Sequence, residues 1–70
     1  MDTYQQIAEL AAELQDTHLT KTERQATICQ LHDLQHWLEL EEVEAVNGGD
    51  RTRAGALHAQ WTRIENVLAA

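Results

Sequence analysis

The sequence predicts an all-α fold, either a three-helix antiparallel bundle or a helical hairpin, built around a long central helix. The 70 residues include no proline, and the three glycines stand only at Gly48, Gly49 and Gly55. Alanine, leucine, glutamine and glutamate, all good helix formers, dominate the composition. Apolar residues recur at spacings of three and four, and strand-type alternation does not occur. A chain of this length is expected to form one small helical domain, residues 1–70.

The first helix is predicted over residues 3–16. Asp2 or Thr3 can accept a hydrogen bond from the free backbone N–H groups at its start. Its apolar side chains fall on one stripe, at Tyr4, Ile7, Leu10, Ala11 and Leu14. This segment is therefore expected to be an amphipathic helix that buries a single face.

The second helix is predicted over residues 21–46. Thr20 and Glu23 have the spacing of a capping box, in which each residue satisfies the other's backbone N–H group. Asn47-Gly48-Gly49 is a strong stop signal, because glycine readily takes the left-handed conformation that ends helices. At 1.5 Å per residue this helix would be about 39 Å long.

The third helix is predicted over residues 51–69, with Asp50 as its N-cap. Its stripe is Ala54, Leu57, Trp61, Ile64 and Leu68. Gly55 lies inside this helix and costs about 1 kcal/mol relative to alanine. The glycine either carries that cost without compensation or permits a close crossing with another helix.

The second helix has two sides that could be buried. Its stronger side carries Ile28, Leu31, Leu34 and Leu38, and we expect the other two helices to pack there. Its opposite side carries Cys29, His32, His36, Leu40 and Val43. A small domain whose single cysteine rules out an internal disulfide often needs a partner to bury apolar surface. We therefore predict that these five residues form a homodimer interface.

The chain is acidic, with 12 Asp and Glu against 5 Lys and Arg and a formal net charge of −7. That balance argues against direct nucleic-acid binding, which depends on Lys and Arg neutralising phosphates, and against an anionic membrane surface. It favours a protein partner that has a basic surface. The sequence shows no signal-peptide pattern and no apolar run of membrane-spanning length, which favours a cytoplasmic location.

Glu39, Glu41, Glu42 and Glu44 crowd the end of the second helix, where the helix dipole makes acidic residues mildly unfavourable. In one interpretation they pair with Arg51 and Arg53 across the glycine turn. In the other they form a docking patch for a basic partner. Trp37 lies at the edge of the stronger face and is either a core residue or an anchor in this patch. The predicted partner-binding residues are Asp33, Trp37, Glu39, Glu41, Glu42 and Glu44.

Cys29, His32 and His36 are spaced three and four apart, so that one side of a helix could present them to a metal ion. Contact residues are the more ordinary interpretation of such a group, and we predict neither a metal nor any other cofactor. Nucleophilic catalysis is disfavoured because the chain contains no serine and a single helix offers Cys29 no oxyanion donors. We therefore do not expect an enzyme.

These observations together predict a non-enzymatic protein-interaction module, a small acidic helical adaptor or inhibitor that docks on a basic protein surface. Phages and other mobile elements often encode compact inhibitors of this kind, so such an origin is one expectation for this chain. Two alternatives remain open. One is a metal-binding helical protein that uses Cys29, His32 and His36. The other is a small DNA-binding regulator, for which the third helix with Arg51, Arg53 and Arg63 is the only basic element.

Overall fold

In a computed structural model that describes residues 2–70, this range folds into three helices. They are α1 (Thr3–Leu14), α2 (Lys21–Asn47) and α3 (Arg51–Ala69). The predicted all-α class is confirmed. The helix α1 ends at Leu14 rather than at residue 16, and α2 extends one residue further than expected to include Asn47. The molecule is elongated, with extents of 45 × 23 × 16 Å.

Each helix begins at a side-chain cap that the sequence indicates. The Asp2 carboxylate accepts from the N–H of Tyr4 at 3.2 Å, and the Asp50 carboxylate accepts from the N–H of Arg53 at 3.0 Å. The capping box of α2 is complete. The Thr20 hydroxyl accepts from the N–H of Glu23 at 3.1 Å, and the Glu23 carboxylate accepts from the N–H of Thr20 at 3.3 Å. Caps of this type each stabilise a helix by about 1 kcal/mol.

The C-terminal end of α1 is held by residues from α2. The guanidinium of Arg24 donates to the carbonyl of Leu14 at 2.8 Å, which supplies a cation that α1 lacks in its own last turn. Glu13 lies 3.2 Å from the hydroxyl of Thr27. These contacts fix the end of α1 beside the start of α2. Because α1 has 12 residues, it reaches back only about 18 Å, to about the level of residue 36 in α2.

The turn between α2 and α3 is short and tightly hydrogen-bonded. Gly49 has φ = +79°, in the left-handed region that favours glycine. The N–H of Gly49 donates to the carbonyl of Val46 at 3.0 Å, and the N–H of Asp50 donates to that of Ala45 at 2.8 Å. This pair of bonds is the usual glycine-based helix ending. Asp50 thus helps to close α2 and also caps α3, which reverses the chain and packs α3 along α2.

All three helices contribute to the core. Its buried members are Ile7, Leu10, Leu31, Leu38, Ala45, Ala54, Leu57 and Ile64. Leu31 and Leu38, from the predicted stronger face of α2, are fully buried, while Ile28 and Leu34 are half-buried beside them. On the α3 stripe, Trp61 packs against this cluster without being fully buried. The stronger face of α2 is therefore the inner face of the bundle.

The inner face of α2 also buries two polar residues, Thr27 and Gln35, which the apolar spacing did not indicate. The amide of Gln35 donates to the carboxylate of Glu65 at 2.7 Å and lies 3.5 Å from the carbonyl of Trp61. The hydroxyl of Thr27 lies 3.0 Å from the carbonyl of Glu23 in the preceding turn. Both side chains therefore have hydrogen-bond partners, as buried polar groups require.

Gly55→Ala should stabilise the protein. A Cβ atom placed at Gly55 meets no atom of residues 2–70 within 4 Å beyond its own stretch of helix, so this glycine does not mediate a close crossing. Alanine should raise the free energy of unfolding by about 0.5–1 kcal/mol, because it loses less backbone entropy on folding than glycine. Urea unfolding followed by circular dichroism measures the change.

The matched control is Gly49→Ala, at which the added methyl group has space but the positive φ is unfavourable for any L-residue. This change should lower the free energy of unfolding by about 1–2 kcal/mol. A destabilised Gly55→Ala variant would show that α3 packs against another surface at that position.

Candidate interaction surface on the central helix

Four large apolar side chains in the C-terminal half of α2 are exposed to solvent. They are Trp37, Leu40, Val43 and Val46, and their exposed fractions are 46, 58, 58 and 59%. We call these four residues the apolar row. Single exposed apolar residues are common on protein surfaces, but a contiguous group of large ones marks an interaction site more often than chance.

The members of the apolar row are neighbours on the helix surface. Each is three residues from the next, a spacing at which side chains on one helix contact each other. Since an α-helix turns about 100° per residue, each step of three residues falls about 60° short of a full turn. The row therefore winds half a turn around α2, from Trp37 on one flank to Val46 on the other, and extends about 14 Å along the axis.

The side of α2 that faces away from α1 and α3 is exposed along the whole helix, and the apolar row lies largely on it in the C-terminal half. The helix α1 reaches only to about the level of residue 36, and the row begins at Trp37. Beyond that level α2 packs against α3 through Leu38 and Ala45 on its inner face. Trp37, for which core packing was one expectation, lies just past the end of α1 and is exposed.

Five carboxylates border the apolar row, each three or four residues from one of its members. They are Asp33, Glu39, Glu41, Glu42 and Glu44, and we call them the carboxylate border. Asp33 precedes Trp37 by four residues, and Glu44 follows Leu40 by four, so these pairs are surface neighbours. The predicted partner patch and the C-terminal part of the predicted dimer interface therefore form one continuous surface.

Three members of the border contact α3. Glu41 pairs with Arg53 at 2.7 Å, which is the predicted contact across the glycine turn. Glu42 lies 3.3 Å from the imidazole of His58. The carboxylate of Glu39 accepts from the indole N–H of Trp61 at 2.8 Å. These carboxylates join α2 to α3 on both flanks of the inner face, with Glu41 on one flank and Glu39 and Glu42 on the other.

Two of the partners of these carboxylates, His58 and Trp61, also contact each other. The rings of His58 and Trp61 stack with their centroids 5.8 Å apart and their planes within 10°. Sequence reasoning placed Trp61 on the α3 stripe but gave no role to His58. Its position three residues before Trp61 is the signal that was available, since such pairs share a helix face.

Asp33 and Glu44 differ from the rest of the border. Within residues 2–70 neither makes an ion pair or a side-chain hydrogen bond. Both are exposed. Their charges are therefore available to a partner, whereas those of Glu39, Glu41 and Glu42 are already in contact with α3.

Val46 was absent from the predicted interface, although its spacing from Val43 places it on the same row.

The remaining predicted interface residues, Cys29, His32 and His36, are exposed on the N-terminal half of α2. His36 lies 3.8 Å from Glu39. Residues 2–70 contain no group of three or more His, Cys, Asp or Glu side chains arranged to hold a metal ion. In the same range no helix has both the length and the apolar character needed to cross a bilayer.

The arginines of α3 are largely engaged within the chain. Arg53 pairs with Glu41, and the guanidinium of Arg63 lies 5.8 Å from the centre of the Tyr4 ring. The basic element on which the DNA-binding alternative depends therefore has two of its three arginines in contact with other parts of the molecule.

Comparison of the chain with protein-family models, with curated proteins and with solved structures found no significant match.

Replacing Glu41 and replacing Glu44 by glutamine should have opposite effects on stability. Glu41→Gln removes the partner of Arg53 and should lower the free energy of unfolding by about 0.5 kcal/mol, less at high salt. Glu44→Gln removes an unpaired acid near a helix C-terminus and should raise it by about 0.3 kcal/mol. Thermal unfolding at about 0.01 M and about 1 M NaCl distinguishes the two effects, because the distance over which charges interact falls about tenfold between these concentrations. Equal destabilisation by both changes would contradict the assignment of Glu41 as a paired carboxylate and Glu44 as an unpaired one.

Proposed function

We propose that this chain is a non-enzymatic protein-interaction module, a small acidic adaptor or inhibitor that docks on a basic protein surface. Its docking surface is the apolar row of α2 together with the carboxylate border. The observation that carries this proposal is the exposure of four adjacent large apolar side chains amid five carboxylates.

The two parts of the surface have different physical roles. Burial of the apolar row supplies affinity, at about 25 cal/mol for each Å² of apolar surface removed from water. Trp37 is the natural anchor, because tryptophan is enriched among the residues that dominate binding energy. Asp33 and Glu44 supply orientation and a faster encounter with a basic surface, which is what charges at the rim of an interface mainly contribute.

The predicted homodimer would bury part of the same surface, since Leu40 and Val43 belong both to the predicted interface and to the apolar row. Self-association and partner docking therefore compete for these residues. Light scattering separates the two cases, because a monomer has a mass of 8.0 kDa. A monomeric chain leaves the whole row available to a partner.

Leu40→Gln with Val43→Gln should abolish partner capture without unfolding the chain. Both side chains are more than half exposed, so glutamine there should leave the helicity unchanged. The measurement is affinity capture from extracts of the source organism, followed by mass spectrometry, in which wild-type chain retains proteins that the double variant loses.

The matched control is Ala56→Gln with Ala59→Gln, at exposed positions on α3. This control also adds two glutamines to a helix surface but leaves the apolar row intact, so it should capture the same proteins as the wild type. If the row variant and the wild type capture identical proteins, the row is not the docking surface.

A further inference from the structure

A groove opens at the end of the bundle where α1 ends, α2 begins and α3 ends, and we call it the end groove. Its walls come from the end of α1, the start of α2 and the last two turns of α3. Its volume is about 590 Å³. Small-molecule sites in proteins typically have volumes of roughly 300–1,000 Å³, so the end groove is large enough to hold one such ligand.

Apolar side chains form most of the end groove. They are Leu14 of α1, Ile28 of α2, and Val67 and Leu68 of α3. All four are half-buried, and those of α1 and α3 also pack against the core. Their remaining apolar surface lines the groove, so an apolar ligand that covers it removes that surface from water.

Charge distinguishes the end groove from the rest of this acidic molecule. Two arginines line it, Arg24 and Arg63, and none of the Asp and Glu side chains in residues 2–70 does. In the whole chain, by contrast, 12 Asp and Glu stand against 5 Lys and Arg. The end groove therefore favours a ligand with a negative charge, which the net charge of the chain would not indicate.

The two arginines differ in how far they are engaged within the chain. The guanidinium of Arg24 donates to the carbonyl of Leu14 at 2.8 Å and so holds the end of α1. Within residues 2–70, Arg63 makes no ion pair and no side-chain hydrogen bond, and its guanidinium lies 5.8 Å from the centre of the Tyr4 ring. The N–H donors of Arg63 are therefore available, and their planar arrangement matches the two oxygens of a carboxylate.

We propose that the end groove binds a medium-chain fatty acid, with its alkyl chain against the apolar walls and its carboxylate against Arg63. A fatty acid combines the two features that the groove favours, an apolar chain and a single negative charge. Arg63 precedes Ala70, the last residue of the groove, by about 10 Å along α3. A chain of medium length that starts at Arg63 therefore runs beside Val67 and Leu68 to the end of the groove. This site is separate from the docking surface of α2 and goes beyond the proposed function.

The test follows the backbone amide resonances of the full chain by two-dimensional NMR while octanoate is added. Octanol, which has the same chain without the charge, and octylamine, which has the opposite charge, are titrated in parallel. We expect saturable shifts at the residues of the end groove, with octanoate binding about fivefold or more tighter than either control. Shifts centred on the apolar row, equal affinity for octanoate and octylamine, or no saturable shift up to about 10 mM would overturn the proposal.

A chain-length series tests the contribution of the apolar walls. From hexanoate to octanoate to decanoate, the affinity should rise by about two- to fourfold for each added methylene, because each one removes further apolar surface from water. An affinity that does not depend on chain length would show that the arginines attract any carboxylate, and the end groove would not be a fatty-acid site.

Arg63→Gln tests the position of the carboxylate. It should weaken octanoate binding by about five- to tenfold and leave octanol binding within about twofold. The matched control is Arg51→Gln, which removes the same charge from the opposite end of α3 and should leave both affinities unchanged. Both arginines are exposed, so both variants should retain the helicity of the wild type. Equal losses in the two variants would show an effect of net charge alone and would overturn the role of Arg63.

Ala11→Leu tests the groove itself. Ala11 is half-buried and lines the end groove, so a larger side chain there occupies part of its volume. Binding of octanoate and of octanol should both weaken by about fivefold or more. Unchanged binding by a variant of normal helicity would overturn the location of the site. If this variant fails to fold, the NMR shifts of the wild type and the pair of arginine variants still decide the question.

An alkyl chain with an anionic group also occurs in bilayer lipids, and phosphatidylglycerol vesicles distinguish that source from a free fatty acid. We expect no vesicle binding, because a chain with a net charge of −7 is repelled by an anionic surface. Vesicle binding without octanoate binding would overturn the proposal. Leu40→Gln with Val43→Gln, which disrupts the apolar row, should bind octanoate as the wild type does. Loss of octanoate binding in that double variant would place the ligand on the docking surface instead.

Discussion

The unequal length of the helices is the constraint on which the rest of this structure depends. The central helix has 27 residues, whereas α1 has 12 and is anchored at the start of α2 by Arg24 and Thr27. One half of the molecule is thus a three-helix bundle and the other half a helical hairpin. A two-helix layer cannot surround either of its members, so a side of α2 must remain in water there. The outer side of α2 is exposed in the three-helix half too, and only in the hairpin half does it carry large apolar side chains.

The hairpin half compensates for its thin core with polar and aromatic contacts. The buried apolar residues near the turn are Ala45, Ala54 and Leu57, of which two are alanines. Glu39, Glu41 and Glu42 each contact a side chain of α3, namely Trp61, Arg53 and His58 respectively. The acid cluster therefore stabilises the hairpin and, at the same time, lines the surface that we propose for docking.

Features set by neighbouring residues were predictable from the sequence. The capping box, the glycine turn and the Asp50 cap each depend on a few consecutive residues, and the α3 stripe depends on periodicity alone. The burial of Gln35 was not predictable, because its partner Glu65 lies in another helix. The same holds for Trp37, whose exposure depends on where α1 ends against α2. Such features require the register between helices, which local patterns do not contain.

That register depends on the shared use of Asp50, whose N–H closes one helix while its carboxylate opens the next. The connection between α2 and α3 therefore contains no residue that could be added or removed without changing one of these hydrogen bonds. One inserted residue would rotate α3 by about 100° about its axis and carry Arg53, His58 and Trp61 away from their acidic partners together. Insertions or deletions in the connection are therefore expected to be tolerated less well than substitutions at most surface positions.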